Sequence, residues 1–533
     1  MSPLLLVFAV IIVICVFLNK LSSKLGIPVL LFFLMLGLLF GMKDPEFADN
    51  TSWLVGDIST IALIFIMFYG GFGTRWKSAR PVILEAGLLA TVGVALTAVF
   101  VGLFCHLVLK WGMVESLLMG AVISSTDAAS VFSILRTRKL GLKNNTAPLI
   151  EVESGSNDPM SYMLTSIMLS LLTGSISTSS IVWDIVSQLA FGIGGGLAIA
   201  YGAKFLLKKV NVKNNGFDLL IFISIAIISY TVPDMIGGNG FLSAYIVGIF
   251  LGNTDYPGRK SMVSFFDALT SLMQIVIFFL LGMLAVPQQL LYAMVPALII
   301  FAFLTIVARP LSVYGVLAPF KKYPLNQIGL VSFVGLRGAA SIVFAIMILN
   351  SNAGLTHDIF SIVFCIVLIS IALQGSLVPF AAKVTGMIDS SSDVMTTFSD
   401  FEKNSAMSFG SIAISEESRW KGKTISELSL PQDCLIVLVL RGKERIVPNG
   451  DTELSTGDEV ILCTKAYKDK KTDNLQYNTV SAKWSGCKVR DYPNDANCLL
   501  VLIQRGDENI IPNGNTELKE DDVLVILHRD SLA

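Results

Sequence analysis

Three short stretches place charged or hydrogen-bonding side chains inside runs that are otherwise apolar. They are SSTDAASVF with Thr126 and Asp127, EVESGSNDP with Glu153, Ser154, Asn157 and Asp158, and GLRGAAS with Arg337. The runs containing them start near residues 114, 146 and 326, so a rise of about 1.5 Å per residue puts all three clusters roughly 16 to 18 Å deep. That is close to the midplane of a bilayer whose hydrocarbon core is about 30 Å thick. A charge there costs roughly 2.5 to 3.5 kcal/mol even on a lenient insertion scale, so each one needs a partner, a water-filled cavity or a function. On a helix Glu153 and Asn157 are i,i+4, as are Ser154 and Asp158, and the two pairs form one polar surface about two turns long. Pro159 follows directly, removes a backbone donor and favours a local opening of that helix.

The chemistry these types can do is narrow. Glu153 and Arg337 cancel as a structural ion pair, which leaves Asp158 without a cation, alongside Asp127 in the preceding span. A carboxylate held out of water neutralises its charge with a proton or with a bound cation, and hard monovalent cations prefer oxygen ligands. Asp158, the Ser154 hydroxyl and the hydroxyl or carbonyl of Thr126 supply such a set. Competition of proton and cation for one carboxylate that faces the two sides alternately is sufficient for antiport. Asp127 and its Gly/Ser-rich surroundings suit broken helices whose dipole ends line the site.

The elements that position these residues are membrane spans. The chain has 533 residues, of which 53% are hydrophobic and 15% charged, with a mean hydropathy of +0.69. These values exclude an ordinary soluble enzyme, a nucleic-acid-binding protein and a disordered chain. Apolar runs predict thirteen spans, near 1–19, 27–42, 56–73, 81–109, 114–136, 146–173, 181–207, 217–232, 237–252, 261–285, 290–318, 326–350 and 357–384. The first lacks a basic start and a small-residue cleavage site, so it reads as a span and not a cleaved leader. The short runs at 217–232 and 237–252, interrupted by Pro233, Gly237, Gly238 and Gly240, also fit one re-entrant unit. The glycines Gly192, Gly194, Gly195 and Gly196 read as close helix packing. Alternate loops carry the basic residues (Lys20 and Lys24; Arg75, Lys77 and Arg80; Arg136, Arg138, Lys139 and Lys143; Lys208, Lys209 and Lys213; Arg259 and Lys260; Lys321 and Lys322; Lys383), which places the N-terminus outside and the tail in the cytoplasm.

Charge marks a boundary near residue 386: the first 385 residues carry a net +6 and the remainder a net −7. The seven cysteines contain no CxxC pair, only three histidines occur, and no Walker A pattern is present, so zinc sites, a disulfide framework and ATP-driven transport are all disfavoured. Residues 386–400 read as a linker. Beyond it the sequence repeats: 434–462 align without a gap on 498–526, with 15 of 29 positions identical. Each copy holds β-rich runs around a PNG turn, giving modules at 401–464 and 465–533.

TDAASVF, ESGSNDP and GLRGAAS, in this order and in these spans, resemble the NhaP-type branch of the monovalent cation:proton antiporters over residues 1–385. The resemblance implies an all-α polytopic membrane domain of about thirteen helices, with inverted repeats and crossing broken helices. It also implies a homodimer in the bacterial inner membrane whose core bundle moves like an elevator. It further implies that Asn157 and Asp158 form the ion-binding pair and go with electroneutral exchange, that Glu153 and Arg337 form a stabilising pair, and that Thr126, Asp127 and Ser154 complete the site. Ser130 departs from the more common alanine and is either a further ligand or a helix back-bond. The tail, by its RG, PNGxTEL and GD/DD pattern, resembles the TrkA-C domain of potassium-conductance regulators, an α+β module. That resemblance implies pairing of the modules and, in some members, binding of a nucleotide such as cyclic di-AMP; an assembly role alone is the plainer reading. Arg441 and Arg505, at equivalent strand ends, are candidates to hold its phosphate.

The expectation is therefore a secondary antiporter, not an enzyme, exchanging potassium or sodium for protons through Asp158 under control of the tail. A sodium-selective exchanger is the nearer alternative and a ligand-gated cation channel the more distant one.

Overall fold

A computed structural model describes residues 30–43, 52–74, 76–138, 140–174, 180–209, 217–254, 259–351 and 353–389, and in the tail 407–465 and 475–528 apart from short interruptions. The expected first span, Lys20, Lys24, Arg75, Lys139, Lys213 and residues 390–400 lie outside these. The chain divides into two compact units, Met1–Asn404 and Ser405–Ala533.

The first unit is helical. Its helices are α1 (Leu30–Lys43), α2 (Ser52–Gly73), α3 (Ile83–Leu107), α4 (Met113–Val122), α5 (Ala128–Thr137), α6 (Thr146–Leu172) and α7 (Ile181–Lys209). They continue as α8 (Phe217–Met235), α9 (Gly240–Gly252), α10 (Arg259–Leu284), α11 (Pro287–Phe320), α12 (Leu325–Phe333), α13 (Ala339–Leu349) and α14 (Ile359–Val384). Among the described residues, six of these helices are long and apolar enough to cross a membrane. Many large apolar side chains stay exposed on them, Trp183, Phe205, Leu291 and Tyr292 among others, as expected of surfaces that face lipid instead of water.

Two expected spans are broken. Residues 123–127 separate α4 from α5, and 334–338 separate α12 from α13. The expected opening at Pro159 does not occur. Helix α6 runs unbroken through the proline; the Pro159 carbonyl also accepts 2.7 Å from Asn239 Nδ2, a tie to the α8–α9 connection that does not replace the lost bond to Gly155. Helix α8 likewise continues through Pro233 and ends at Met235, before Gly237 at φ +79.

Close packing is carried by small residues. A β-carbon on Gly71 of α2 would collide with the Tyr245 carbonyl of α9; in the glycine run, β-carbons on Gly192, Gly195 and Gly196 would lie 2.9 to 3.1 Å from Asn239, Pro233 and Ser243, which bears out close packing for these three, whereas Gly194 has open space beside it. One buried core joins α1, α2, α10, α13 and α14; a second, around Val131, Leu149, Ile150, Val316 and Val331, holds α5, α6, α11 and α12 together.

The expected linker begins later than residue 386. Ile388–Asp389 (β2) pairs antiparallel with Gly141–Leu142 (β1), and Met387 is buried against the second core. In the second unit, β3 (Met407–Ala413), β4 (Cys434–Arg441), β5 (Glu444–Ile446) and β6 (Asp458–Lys465) form an antiparallel sheet of order β3-β6-β4-β5. Strands β7 (Leu475–Thr479), β8 (Cys498–Arg505), β9 (Glu508–Ile510) and β10 (Val523–His528) repeat it as β7-β10-β8-β9. Both sheets carry a register shift in the pairing of their two central strands, so the repetition in sequence extends to a bulge.

Candidate ion-binding site

The two helix breaks touch: the Asp127 backbone N–H donates 2.8 Å to the Leu336 carbonyl. At such a crossing two helix N-termini and two C-termini are brought together away from water, and their partial charges need opposite partners. Asp127 serves the N-terminal side. Its Oδ1 accepts from the Ala129 and Ser130 N–H groups (3.0 and 3.3 Å) and its Oδ2 from the Ser130 hydroxyl (2.6 Å), capping α5. A β-carbon on Gly338, the residue preceding α13, would collide with the same carboxylate, so it also lies against the second N-terminus. Ser130 is thus neither a helix back-bond nor turned to a cation, because its hydroxyl is spent on Asp127.

Arg337 serves the C-terminal side. Its Nη1 donates to the carbonyls of Ser124 (2.8 Å) and Ser125, which follow α4, and its backbone N–H donates 3.0 Å to Ser370 Oγ. The Ser370 hydroxyl in turn donates to Gln374 Oε1 (2.9 Å), and Gln374 Nε2 donates to the Phe333 carbonyl at the end of α12. Ser370 and Gln374 bound a π-helical turn in α14, a local widening common at functional sites. Further orphan carbonyls of α4 are met by Ser161 and Ser341 hydroxyls at 2.6 and 2.8 Å.

The expected pairing of Glu153 with Arg337 is not what the structure shows. Glu153 Oε1 lies 2.7 Å from Arg309 Nη2 of α11, with both side chains 2% exposed. Arg309 is the single charged residue in the apolar run 290–318, and that was the signal available in the sequence. Arg337 lies in a motif, yet its guanidinium is taken up by helix-end carbonyls. The pairing with Arg309 still cancels the Glu153 charge and still leaves Asp158 alone.

Helix α6 supplies the rest. Thr126 Oγ1 accepts from Asn157 Nδ2 at 2.6 Å and sits 3.0 Å from Ser154 Oγ, while Ser154 Oγ donates 2.6 Å to the Thr126 carbonyl. Ser125 Oγ donates to Asp158 Oδ1, a contact the sequence reading missed although Ser125 stood inside the quoted motif. The buried Asn157 Oδ1 has no hydrogen-bond donor among the described residues. Oxygens from Ser125, Thr126, Ser154, Asn157 and Asp158 therefore come together where the unbroken helix passes the first break. Asp158 retains 8% exposure against 1% for Glu153 and 0% for Asn157, so of the two buried α6 carboxylates it is the more reachable. Among the described residues no Lys, Arg or His lies within ion-pair distance of it.

In the tail the candidate phosphate ligands are already engaged. Arg441 makes a bidentate pair with Asp458 (both 2.8 Å) and donates 2.8 Å to the Glu453 carbonyl; Arg505 does the same with Asp522 (2.8 and 2.7 Å) and Glu517 (2.7 Å). The arginine and the last aspartate of the repeated pattern are thus each other's partners, which gives both a structural role. The Arg441 hydrogen bonds hold Asp458 below the usual carboxylate range, and Arg505 does so for Asp522. A lowered folded value stabilises the sheet above the ordinary range, near about pH 3.9, and that stabilisation is lost as pH falls through the folded value. Both sheets should therefore lose protection together in acid, and Asp458→Asn should be less protected at neutral pH with a flatter acid dependence in its own sheet only. Hydrogen exchange of the β4 and β8 amides against pH checks this.

Comparison with known proteins agrees with the geometry. Residues 8–384 match the sodium/hydrogen exchanger transmembrane family, and residues 410–466 and 479–531 each match the TrkA-C domain. The chain is 34% identical over 469 residues to the K(+)/H(+) antiporter NhaP2 of Shewanella sp. (strain ANA-3), covering 86% of this chain and 80% of that one. It is 33% identical to the K(+)/H(+) antiporter NhaP of Alkalimonas amylolytica (86% and 81% covered) and 26% identical to the Na(+)/H(+) antiporter ApNhaP of Aphanothece halophytica (68% and 70%). The sodium proton antiporter MjNhaP1 of Methanocaldococcus jannaschii superposes with a TM-score of 0.64 at 24% identity, over 72% of this chain and 100% of that one, and so shares the fold. The chain belongs to the sodium/hydrogen exchanger family and carries two TrkA-C domains.

Proposed function

We propose that this protein is a secondary antiporter in which a monovalent cation and protons compete for Asp158, with the Ser125, Thr126 and Ser154 hydroxyls and the Asn157 amide oxygen around it. The observation that carries the reading is that Asp158 is a buried, reachable carboxylate without a basic partner, whereas Glu153 is sealed against Arg309. Asn157 Oδ1, an acceptor lacking a donor, adds a neutral oxygen to the set. One proton replaces one monovalent cation on one carboxylate, so the exchange is electroneutral.

Potassium is the favoured cation and sodium the alternative. The relatives named as potassium/proton antiporters cover 86% of the chain, whereas the one named as a sodium/proton antiporter covers 68%. The protein works as a homodimer in a bacterial inner membrane, N-terminus outside and tail cytoplasmic, and is not an enzyme. The TrkA-C modules regulate it, and a nucleotide ligand such as cyclic di-AMP is compatible with such modules.

Proteoliposomes with a trapped pH indicator test this, comparing potassium, sodium and lithium. Cation-driven alkalinisation by potassium, insensitive to membrane potential, is expected. A signal with sodium or lithium alone overturns the cation choice, and unitary currents in a planar bilayer would overturn the carrier reading in favour of a channel.

A further inference from the structure

The chain leaving the last helix is stitched back onto the ion-binding core. In the β1–β2 ribbon Gly141 faces Asp389 and Leu142 faces Ile388; the Lys143 N–H donates 3.0 Å to the Met387 carbonyl, and Lys143 Nζ donates 3.2 Å to that of Gly386. Met387 is 4% exposed and packs with Leu142 and Ile388 in the same core as Ile150 of α6 and Leu135 of α5.

The partner strand is placed between two parts of the site. It follows α5, whose N-terminus is capped by Asp127, and it leads into α6, which begins at Thr146, three turns before Asp158. The turn between them is tight. Asn144 and Asn145 adopt left-handed φ values of 56 and 55, and Thr146 Oγ1 and N–H both bond the Lys143 carbonyl (2.6 and 3.1 Å). Successive non-glycine residues in that region are costly and persist where surroundings enforce them. Here Gln327 of α12 does so, donating 3.1 Å from Nε2 to the Asn144 carbonyl. The ribbon therefore touches α5 and α6 through the chain and α12 through Gln327, and these carry or adjoin both helix breaks. The chain runs on from Asp389 toward the second unit, which begins at Ser405.

We propose that this ribbon is the coupling element between the tail and the ion site. Resting on the regulatory role given to the tail above, the inference is that a change in the TrkA-C modules is delivered as a pull at Asp389, and so shifts the α5–α6 turn relative to the crossing. A hydrogen-bonded ribbon seated in the core passes a displacement at Asp389 on to the α5–α6 turn, whereas an unpaired chain end would not.

A double-mutant cycle on the full-length protein in proteoliposomes tests it. Asp458→Asn, which breaks the buried pair of the first sheet, should change the exchange rate by about fivefold or more, the lower range of ordinary coupling between sites. Combined with Asp389→Pro, which removes the N–H that the antiparallel register turns toward Gly141, that factor should fall to about one. Because the proline could disturb the neighbouring core, a second background, Gln327→Ala, leaves the ribbon paired but removes the bond that ties its turn to α12; the factor should again fall toward one. An undiminished factor in both backgrounds overturns the proposal. An Asp458→Asn effect of one in the intact protein overturns it together with tail regulation, while exchange that still depends on Asp158 would leave the antiporter reading standing.

Discussion

Asp158→Asn should lower cation/proton exchange to the rate of protein-free liposomes while the protein folds, inserts and purifies as before. The amide keeps the shape of the carboxyl and can still accept from Ser125 Oγ, so the packing of α6 against the first break is retained. What is lost is the single negative charge that a proton or cation can neutralise. No neighbour replaces it: Glu153 is held 2.7 Å from Arg309, and Asp127 is bonded to two backbone N–H groups and the Ser130 hydroxyl. Measurable exchange by the variant under an imposed pH gradient would remove Asp158 from the mechanism.

Arg309→Ala should act on the fold first. Removing one member of a buried pair leaves the other as an uncompensated charge, which typically costs about 3 to 5 kcal/mol. With both side chains 2% exposed, water gives little relief, and a large part of the folded protein should be lost. Glu153→Gln should be milder, since arginine is left facing a neutral acceptor. The double variant Glu153→Gln/Arg309→Met should recover folded yield, because it removes both charges and keeps much of the volume. Thermal unfolding in detergent with size-exclusion yield checks the series. Single variants that remain fully stable and lose only transport would show that the pair acts in the transport cycle.

Composition, hydropathy and the three motifs made the polytopic class, the positions of most spans and the polar site on α6 readable before any coordinates. Partners across the bilayer were not readable in the same way. Glu153 had two arginines within reach at similar depth, and hydropathy carries no information about which helix lies beside which; only the packing of α11 against α6 selects Arg309. The Pro159 expectation failed for a related reason. Proline states that a ladder bond is missing, but the packing around α6, which the local sequence does not name, decides whether the helix opens.

In the tail the repeat exposed the pairing logic in plain view, since Arg441 and Asp458 recur together as Arg505 and Asp522. Read singly, the arginines suggested phosphate; read as strand partners opposite one another in register, they account for each other. The ribbon at Asp389 gave almost no sequence signal, because two-residue strands have no periodicity to detect. Its consequence is practical: cutting the tail off at residue 386 would also remove Met387 and Ile388 from the membrane unit's core.

The central claim is that proton and cation share one carboxylate, and the apparent KM for potassium as a function of pH tests it most directly. Under competition at Asp158 the KM should rise about tenfold for each unit the pH falls below the range in which the site is deprotonated, with the maximal rate changing little across that span. A KM that stays constant with pH, while only the maximal rate varies, would place the two ions on separate sites and contradict the account.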